Sequence, residues 1–233
     1  MFANKTVIVT GGAGALGREV VRWFSARGAQ VGVLDISAEV LHEAFPAVDE
    51  NLCLVSCDLT QRGSCAEAVA TIQARFGAVD ILCNTAGGFL MGDPVHNTSD
   101  ETWNFLFDLN ARSILNMSAA VVPAMLAGGA GKVVNVAARA ALGGGAMMGA
   151  YTASKAAVLR LTESMAQELR GHNINVNCVL PSLIDTPRNR QDMPGADYSQ
   201  WVTPAEIASV IGFLASPDAG AVHGAGIPVD GLS

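Results

Sequence analysis

Short apolar runs that alternate with helical stretches constrain the fold of this chain more than any other feature. They are nearly continuous in Val, Ile and Leu rather than alternating with polar residues, which is typical of parallel strands buried on both faces. Repeated strand–helix units predict an α/β fold, a Rossmann-type doubly wound, mostly parallel seven-stranded sheet with helices on both faces. The predicted strands are Thr6–Thr10, Gln30–Asp35, Leu52–Ser56, Val79–Asn84, Lys132–Ala137, Ile174–Leu180 and Ile227–Val229.

The segments between these runs carry helical periodicity. A chain of 233 residues is long enough to bury a full core, so we expect a single domain over residues 1–233. One long irregular stretch, roughly 182–201, is predicted to be a lid over a ligand. The predicted helices are Leu16–Arg27, Ser64–Phe76, Glu101–Leu126, Ala150–Arg170 and Pro204–Leu214.

Charge and cysteine content limit the classes of partner. The net charge of −7 and the pI near 5.0 argue against a nucleic-acid partner. No signal peptide and no apolar run of transmembrane length is apparent, so we expect no membrane partner. Five irregularly spaced cysteines are typical of reduced thiols in a cytoplasmic protein, and no residue pattern has metal-ligand spacing.

The turn after the first strand predicts a dinucleotide site. In VIVTGGAGALG, Gly11, Gly12, Gly14 and Gly17 stand between a strand and a helix. Glycines there let the backbone approach a pyrophosphate, and the helix N-terminus offers free N–H groups. A tight turn without a ligand is the alternative, but the flanking strand and helix and the acid after the second strand favour a cofactor.

Asp35, at the end of the second strand, bears on the choice of cofactor. Its carboxylate suits the two ribose hydroxyls of NAD(H) and would repel the extra phosphate of NADP(H). Ile36 follows it, so no neighbouring cation neutralises such a phosphate, although Arg18 lies after the glycines. NAD(H) is therefore favoured and NADP(H) remains possible; a role of Asp35 in capping the next helix is compatible with either.

A tyrosine and a lysine four residues apart predict acid–base chemistry. Tyr151 and Lys155 lie one helical turn apart on the same face. An ammonium nearby favours the tyrosinate, so we expect Lys155 to lower the pKa of Tyr151 toward working pH. The tyrosine could then exchange a proton with a substrate oxygen while the nicotinamide exchanges a hydride.

These motifs together resemble the classical short-chain dehydrogenase/reductase family, in the correct order and over essentially the whole chain. The resemblance implies that Asn110 anchors a proton-relay water and that Thr186 holds the nicotinamide amide. It also implies a homodimer or homotetramer and a small-molecule substrate, a carbonyl, an alcohol or an activated ring. The positions it assigns to cofactor binding are Gly11, Gly14, Leu16, Gly17, Asp35, Asp58, Leu59, Asn84, Ala86, Gly87, Tyr151, Lys155, Pro181, Ile184 and Thr186.

One family residue is missing. The serine that usually stands thirteen residues before the tyrosine is Ala138 here. Loss of one preorganised donor costs on the order of 100–1,000-fold in other enzymes, so the substrate should need no second donor. Ala138 and the lid resemble the quinonoid dihydropteridine reductases of the same family, which gives an alternative function. A cofactor-binding scaffold or redox sensor without turnover is the other alternative.

The substrate pocket is expected to lie between three segments of the chain. Its walls should come from 87–94, from 143–149 and from the lid. Individual residues predicted to face the substrate are Ala138, Arg139, Met193 and Trp201.

Overall fold

The computed structural model describes residues 1–233 and contains one seven-stranded, fully parallel sheet. The strand order is β3-β2-β1-β4-β5-β6-β7, which confirms the predicted doubly wound fold. Each predicted apolar run forms a strand. The strands are β1 (Thr6–Thr10), β2 (Gln30–Asp35), β3 (Leu52–Ser56), β4 (Ile81–Asn84), β5 (Gly131–Val136), β6 (Ile174–Pro181) and β7 (Gly226–Val229).

The chain forms eight helices, and most of them cover the two faces of the sheet. On one face α1 packs against α8, and α2 joins the same apolar cluster; α3, α5 and α6 cover the other face. The central strands β1, β4 and β6 are buried along their whole length, as both covered faces require. The helices are α1 (Ala15–Ser25), α2 (Ala38–Ala44), α3 (Arg62–Phe76), α4 (Asp100–Phe107), α5 (Ser113–Gly128), α6 (Gly149–Leu169), α7 (Pro187–Asp192) and α8 (Pro204–Leu214).

Three helical details differ from the sequence prediction. The predicted helix over 101–126 is divided into α4 and α5 by a π-helical turn at Asp108–Arg112. Helix α2 was not predicted; its N-terminus is capped by Ser37, and Leu41 is its one buried residue, so its apolar signal is weak. The lid contains α7 as well as irregular chain.

The strand order creates the cleft. It reverses direction between β1 and β4, where the connections leave toward opposite faces of the sheet. The carboxyl ends of neighbouring parallel strands diverge at such a point and leave a crevice for a ligand. The glycine-rich turn follows β1 at this place, so the fold positions it at the crevice.

The helical stretch 100–128 is the one segment long and apolar enough to cross a membrane by length and composition. Within the fold, its residues Leu106, Ile114, Met117, Val121 and Met125 are buried in the protein. This burial is the behaviour of a core helix, and the stretch is weak evidence for a membrane span.

Candidate active site

A single large cavity of about 1350 Å³ runs along the carboxyl edge of the sheet. Most of the residues predicted from the sequence line it, although they come from separate parts of the chain. Those that line it are Gly11, Gly14, Leu16, Gly17, Asp35, Asp58, Leu59, Ala86, Gly87, Ala138, Arg139, Tyr151, Lys155, Pro181, Ile184, Thr186 and Met193.

The glycine-rich turn has a shape that only glycine permits at two positions. Gly11 has a φ of +62°, in the left-handed region that L side chains avoid. At Gly17 an added Cβ would lie 2.1 Å from the carbonyl oxygen of Gly11. Helix α1 begins after Gly14 without a side-chain cap and without an acidic residue in its first turn. Its first N–H groups are therefore free for an anion such as a pyrophosphate, and the chain fits a dinucleotide here.

Asp35 is fixed by main-chain hydrogen bonds. The N–H of Ala13 donates to one carboxylate oxygen at 3.0 Å, and the N–H of Ile36 donates to the other at 2.8 Å. The first of these ties the end of β2 to the glycine-rich turn. Each oxygen keeps a second lone pair, so the carboxylate can still accept hydrogen bonds from a ligand in the cavity. Arg18 does not line the cavity.

Asp58 closes the far end of the cavity, just after β3. One of its carboxylate oxygens accepts from the N–H of Thr60 at 2.9 Å and from the hydroxyl of the same residue at 2.7 Å. Its own N–H donates to the hydroxyl oxygen of Ser64. The second carboxylate oxygen accepts no hydrogen bond within the protein, so it can still accept from an amine of a ligand.

Asn84, which was predicted to contact the cofactor, is not among the residues that line the cavity. Its side chain is buried between β4 and β5 and donates to Asn135 at 2.8 Å. The Asn135 amide in turn donates to the Thr162 hydroxyl on α6 at 2.9 Å. This buried chain of hydrogen bonds links β4 and β5 to α6, the helix that carries Tyr151 and Lys155.

Tyr151 and Lys155 reach the cavity from the first turns of α6. Burial raises the pKa of Tyr151 to about 12 and lowers the pKa of Lys155 to about 8. The prediction that the lysine lowers the tyrosine pKa is therefore wrong, because burial takes the phenol out of water and thereby disfavours the charged tyrosinate. At neutral pH the tyrosine is a protonated phenol, ready to donate rather than to accept a proton.

Lys155 is held from two sides. Its Nζ donates to the carbonyl oxygen of Val136, at the end of β5, over 3.2 Å. On the other side lies Gly87, where an added Cβ would come within 3.0 Å of both Lys155 Nζ and Asn110 Oδ1. The absence of a side chain at position 87 lets the lysine and the asparagine approach the same turn.

Asn110 lies at the centre of the π-helical turn and is buried. Its side-chain oxygen accepts from the N–H of Gly88 at 2.8 Å, and its amide donates to the Gly88 carbonyl at 3.1 Å and to the Ser154 hydroxyl at 2.9 Å. Ser154 donates to the carbonyl oxygen of Tyr151 at 2.8 Å. Asn110 therefore joins the turn after β4 to the helix that carries Tyr151 and Lys155.

Ala138 follows β5, lines the cavity and carries no donor. The next residue, Arg139, is half exposed, and its Nε lies 3.2 Å from a carboxylate oxygen of Asp230. The ion pair ties the wall of the cavity to the chain after β7. Arg139 therefore both lines the cavity and reaches solvent.

The lid folds over the cavity around Thr186. The hydroxyl oxygen of Thr186 caps α7 by accepting from the N–H of Asn189 at 3.1 Å, which leaves its own proton free to donate. Met193, at the end of α7, lines the cavity as predicted. Trp201 is not among the residues that line the cavity: it is buried, with its ring 4.8 Å from that of Tyr198.

Several cavity residues were not singled out in the sequence. Phe89 places its ring edge-on to Tyr151, with the centroids 4.8 Å apart. Met91 and Met148 line the cavity from loops that the sequence suggested only as segments. Cys57 lines it beside Asp58. Loop residues carry no periodic pattern, so no local signal could have assigned these side chains to the pocket.

Comparisons with known proteins place this arrangement among related enzymes. The family model for the short chain dehydrogenases matches residues 5–196. The chain is 35% identical to the 2-(R)-hydroxypropyl-CoM dehydrogenase of Xanthobacter autotrophicus, over 98% of each chain. It is 36% identical to a sorbitol dehydrogenase of Cereibacter sphaeroides, over 84% of this chain and 77% of that one. The solved structure of an NAD⁺-bound xylitol dehydrogenase superposes with a TM-score of 0.90 at 26% identity, covering 99% of both chains.

Proposed function

Because this chain belongs to the short-chain dehydrogenases, which act on alcohols and carbonyls with a nicotinamide cofactor, we propose that it interconverts a small secondary alcohol and its ketone. We further propose NAD(H) as the cofactor and substrate groups that are mainly apolar. The observation that carries the proposal is the position of Tyr151, which faces one cavity together with the glycine-rich turn.

Tyr151 is the acid/base of this proposal. As a buried phenol with a pKa of about 12, it can donate its proton to a ketone oxygen at neutral pH. The bound cofactor supplies or accepts the hydride. Lys155, buried beside Gly87, is placed to hold the ribose next to the nicotinamide and so to orient that ring. In the direction of alcohol oxidation the tyrosine must first lose its proton, so oxidation should be favoured at high pH.

The wall around Tyr151 supports an apolar substrate. Phe89, Met91, Met148 and Met193 line the cavity there, and Ala138 adds a methyl group where the family serine would place a hydroxyl. These side chains desolvate a hydrocarbon substituent but leave extra hydroxyls without partners, and each buried unpaired hydroxyl costs about 1–3 kcal/mol. A polyol such as sorbitol or xylitol, named for two of the relatives, should therefore be a poor substrate.

The preference for NAD(H) rests on Asp35. Its carboxylate lines the cavity beside Ile36, with free lone pairs for ribose hydroxyls and no neighbouring cation for a 2′-phosphate. Fluorescence titration should give a lower Kd for NADH than for NADPH. Asp35→Ser removes the negative charge while it keeps a polar group, and it should narrow or reverse that difference. A wild-type preference for NADPH would contradict the assignment of Asp35.

A substrate panel tests the reaction itself. NADH oxidation should be fastest with cyclic or branched ketones, slow with keto-sugars, and far slower in Tyr151→Phe than in the wild type. The reverse ranking of ketones and keto-sugars would overturn the apolar substrate class. Tight NADH binding with no turnover on any member of the panel would instead favour the scaffold or redox-sensor alternative.

Ala138 favours one second candidate, the reduction of a quinonoid dihydropterin. Its methyl group faces the cavity and offers no donor to a substrate oxygen. A quinonoid ring accepts hydride readily and should need no such donor. High turnover with quinonoid dihydropterin together with poor turnover of simple ketones would support this candidate over the first.

A further inference from the structure

Two cysteines contact each other at the end of the cavity that Asp35 and Asp58 line, where the proposed dinucleotide would place its adenosine. Cys57 follows β3 and lines the cavity, while Cys65 lies near the start of α3, and their Sγ atoms are 4.0 Å apart. We propose that Cys57 and Cys65 form a modification site at which a hydroperoxide reversibly oxidises the pair to a disulfide, and that this oxidation weakens dinucleotide binding. The second half rests on the proposed cofactor site; the disulfide itself does not.

Cys57 has the surroundings of the attacking thiol. The hydroxyl of Ser64 donates toward its sulfur over 3.7 Å, and the Cys57 thiol in turn donates toward Cys65 Sγ over 4.0 Å. The contact with the Cys65 thiol, and to a smaller extent the Ser64 hydroxyl, lower the pKa of Cys57, and the pKa of Cys65 is raised in return. The Ser64 oxygen already accepts from the N–H of Asp58, so its own proton is free to donate to a thiolate at Cys57.

The oxidation balances with one hydroperoxide per pair of thiols. The Cys57 thiolate attacks the outer peroxide oxygen, the O–O bond breaks, and an alcohol or water leaves as Cys57 becomes a sulfenic acid. The Cys65 thiol then attacks the Cys57 sulfur, an S–S bond forms, and the hydroxyl leaves as water. The two sulfur atoms must approach by about 2 Å to reach bonding distance.

This movement acts on the residues proposed to bind the adenosine. The N–H of Cys57 donates to the carbonyl oxygen of Asp35 over 2.7 Å, so Cys57 joins the ends of β2 and β3. Cys65 Sγ lies 3.7 Å from the carbonyl oxygen of Leu59. Drawing the sulfurs together therefore pulls on the main chain of Asp35, Asp58 and Leu59 at once. Conversely, a bound dinucleotide covers Cys57 and should shield it from the oxidant.

The three remaining cysteines lack this arrangement. All five cysteines are buried, but Cys53, Cys83 and Cys178 do not line the cavity, and burial raises the pKa of each. None of them makes a sulfur–sulfur contact. Cys53 is the useful comparison because it lies on β3, four residues before Cys57.

Peptide mapping tests the disulfide directly. Trypsin should release Cys57 within 28–62 and Cys65 within 63–75, because cleavage follows Arg27, Arg62 and Arg75. After treatment of the reduced protein with hydrogen peroxide and alkylation, these two peptides should appear linked, two hydrogens lighter than their sum, and should separate with dithiothreitol. Cys53→Ala is the matched control, since it leaves Cys57 as the one thiol in 28–62 and should link as the wild type does.

Two variants separate the steps of the oxidation. Cys65→Ser should stop at the Cys57 sulfenic acid, which dimedone traps, and Cys57→Ser should give neither product. Thermal unfolding confirms that each variant is folded, and the wild-type mapping stands without them. If peroxide leaves wild-type Cys57 and Cys65 unlinked, or oxidises Cys53 as fast as Cys57, the proposed site is wrong.

The coupling to the cofactor has its own measurement. NADH at about ten times its Kd leaves about a tenth of the protein free, so it should slow the linkage about tenfold. The oxidised protein should bind NADH about tenfold more weakly, with recovery after dithiothreitol. A disulfide that forms while NADH binding is unchanged would overturn the coupling. Neither readout uses substrate turnover, so failure of the proposed reaction would leave both intact.

Discussion

The two walls of the cleft are built in different ways. One wall, here called the adenosine wall after the ligand proposed for it, is formed by the glycine-rich turn with Asp35 and Asp58. Its turn is closely packed main chain: a Cβ added at Gly17 would lie only 2.1 Å from the carbonyl oxygen of Gly11. The substrate wall, formed by Phe89, Met91, Ala138, Met148 and Met193, is made of side chains from loops and the lid. Phe89 is 52% exposed and Met91 58%. The adenosine wall therefore tolerates little change, whereas the substrate wall can vary without disturbing the fold.

The largest effect on activity is expected at Tyr151, because the proposed reaction requires its hydroxyl. Tyr151→Phe keeps the ring that packs against Phe89 and removes the proton donor. We expect kcat to fall roughly 1,000-fold with NADH affinity retained, because general acid catalysis contributes about 10²–10⁴-fold. Steady-state kinetics and a separate NADH titration measure the two quantities.

Tyr198→Phe is the matched control, since it removes the only other phenol of the chain. That hydroxyl donates to lid carbonyls at 3.2 Å, so kcat should change little. Equal losses in both variants would mean that Tyr151 has no special chemical role.

Lys155 lines the cavity, and its buried charge makes the stability of the protein depend on pH. Its pKa falls from 10.5 to about 8, so the unfolded chain keeps this proton to higher pH than the folded protein. The charged form is destabilising below pH 8, and stability should rise with pH between about 8 and 10.5. Lys155→Met should therefore increase the free energy of unfolding by up to about 3 kcal/mol at pH 7, and less as pH rises.

Urea unfolding at pH 7 and pH 9.5 measures this difference. Lys5→Met removes the same charge from a half-exposed side chain and controls for the change in net charge. If Lys155→Met increases the free energy of unfolding by the same amount at pH 9.5 as at pH 7, the folded protein does not bury a protonated amine at this position.

Gly17→Ala tests the adenosine wall directly. Its Cβ would collide with the carbonyl oxygen of Gly11, so the turn must shift. We expect NADH affinity to fall about tenfold and stability to fall by about 1–3 kcal/mol. Gly63 lies in the first turn of α3 and has nothing within 4 Å of an added Cβ, so Gly63→Ala should lower neither the NADH affinity nor the stability. Unchanged NADH affinity in Gly17→Ala would show that this turn does not hold the pyrophosphate.

The smallest effect is expected on the substrate wall at Ala138. Ala138→Ser adds a hydrogen-bond donor on the cavity surface, so kcat for simple ketones should rise several-fold. This increase corresponds to the stabilisation of about 1 kcal/mol that one hydrogen bond provides. Reduction of a quinonoid ring should change little, and the two rates measured on one preparation serve as mutual controls. A ketone rate that stays constant would show that residue 138 does not face the reacting oxygen.

The sequence predicted the adenosine wall well because local rules govern it. Gly11, Gly14 and Gly17 form a contiguous turn, and Asp35 follows directly from the end of the second strand. The same rules did not indicate that the buried side chain of Asn84 makes its hydrogen bond with Asn135 and does not line the cavity. A strand places successive side chains on opposite faces, so one residue of error moves a side chain from ligand to core.

The tyrosine pKa shows a second kind of failure. Spacing alone places Lys155 beside Tyr151 and suggests a lowered pKa, but it does not reveal how deeply both groups are buried. Desolvation acts on each group separately and here raises the tyrosine value. The burial of Trp201 against Tyr198 was likewise not readable from the sequence, because it depends on the fold of the lid.

By itself the sequence determined the doubly wound sheet, the dinucleotide turn, the Tyr151–Lys155 pair and the absence of a serine at position 138. Each of these depends on neighbours in the chain or on a repeated period. Only the tertiary structure decided which loop side chains face Tyr151, how burial sets the pKa values and that Cys57 meets Cys65. These depend on distances between residues from separate elements, and such distances exist only once the sheet and its helices have packed together.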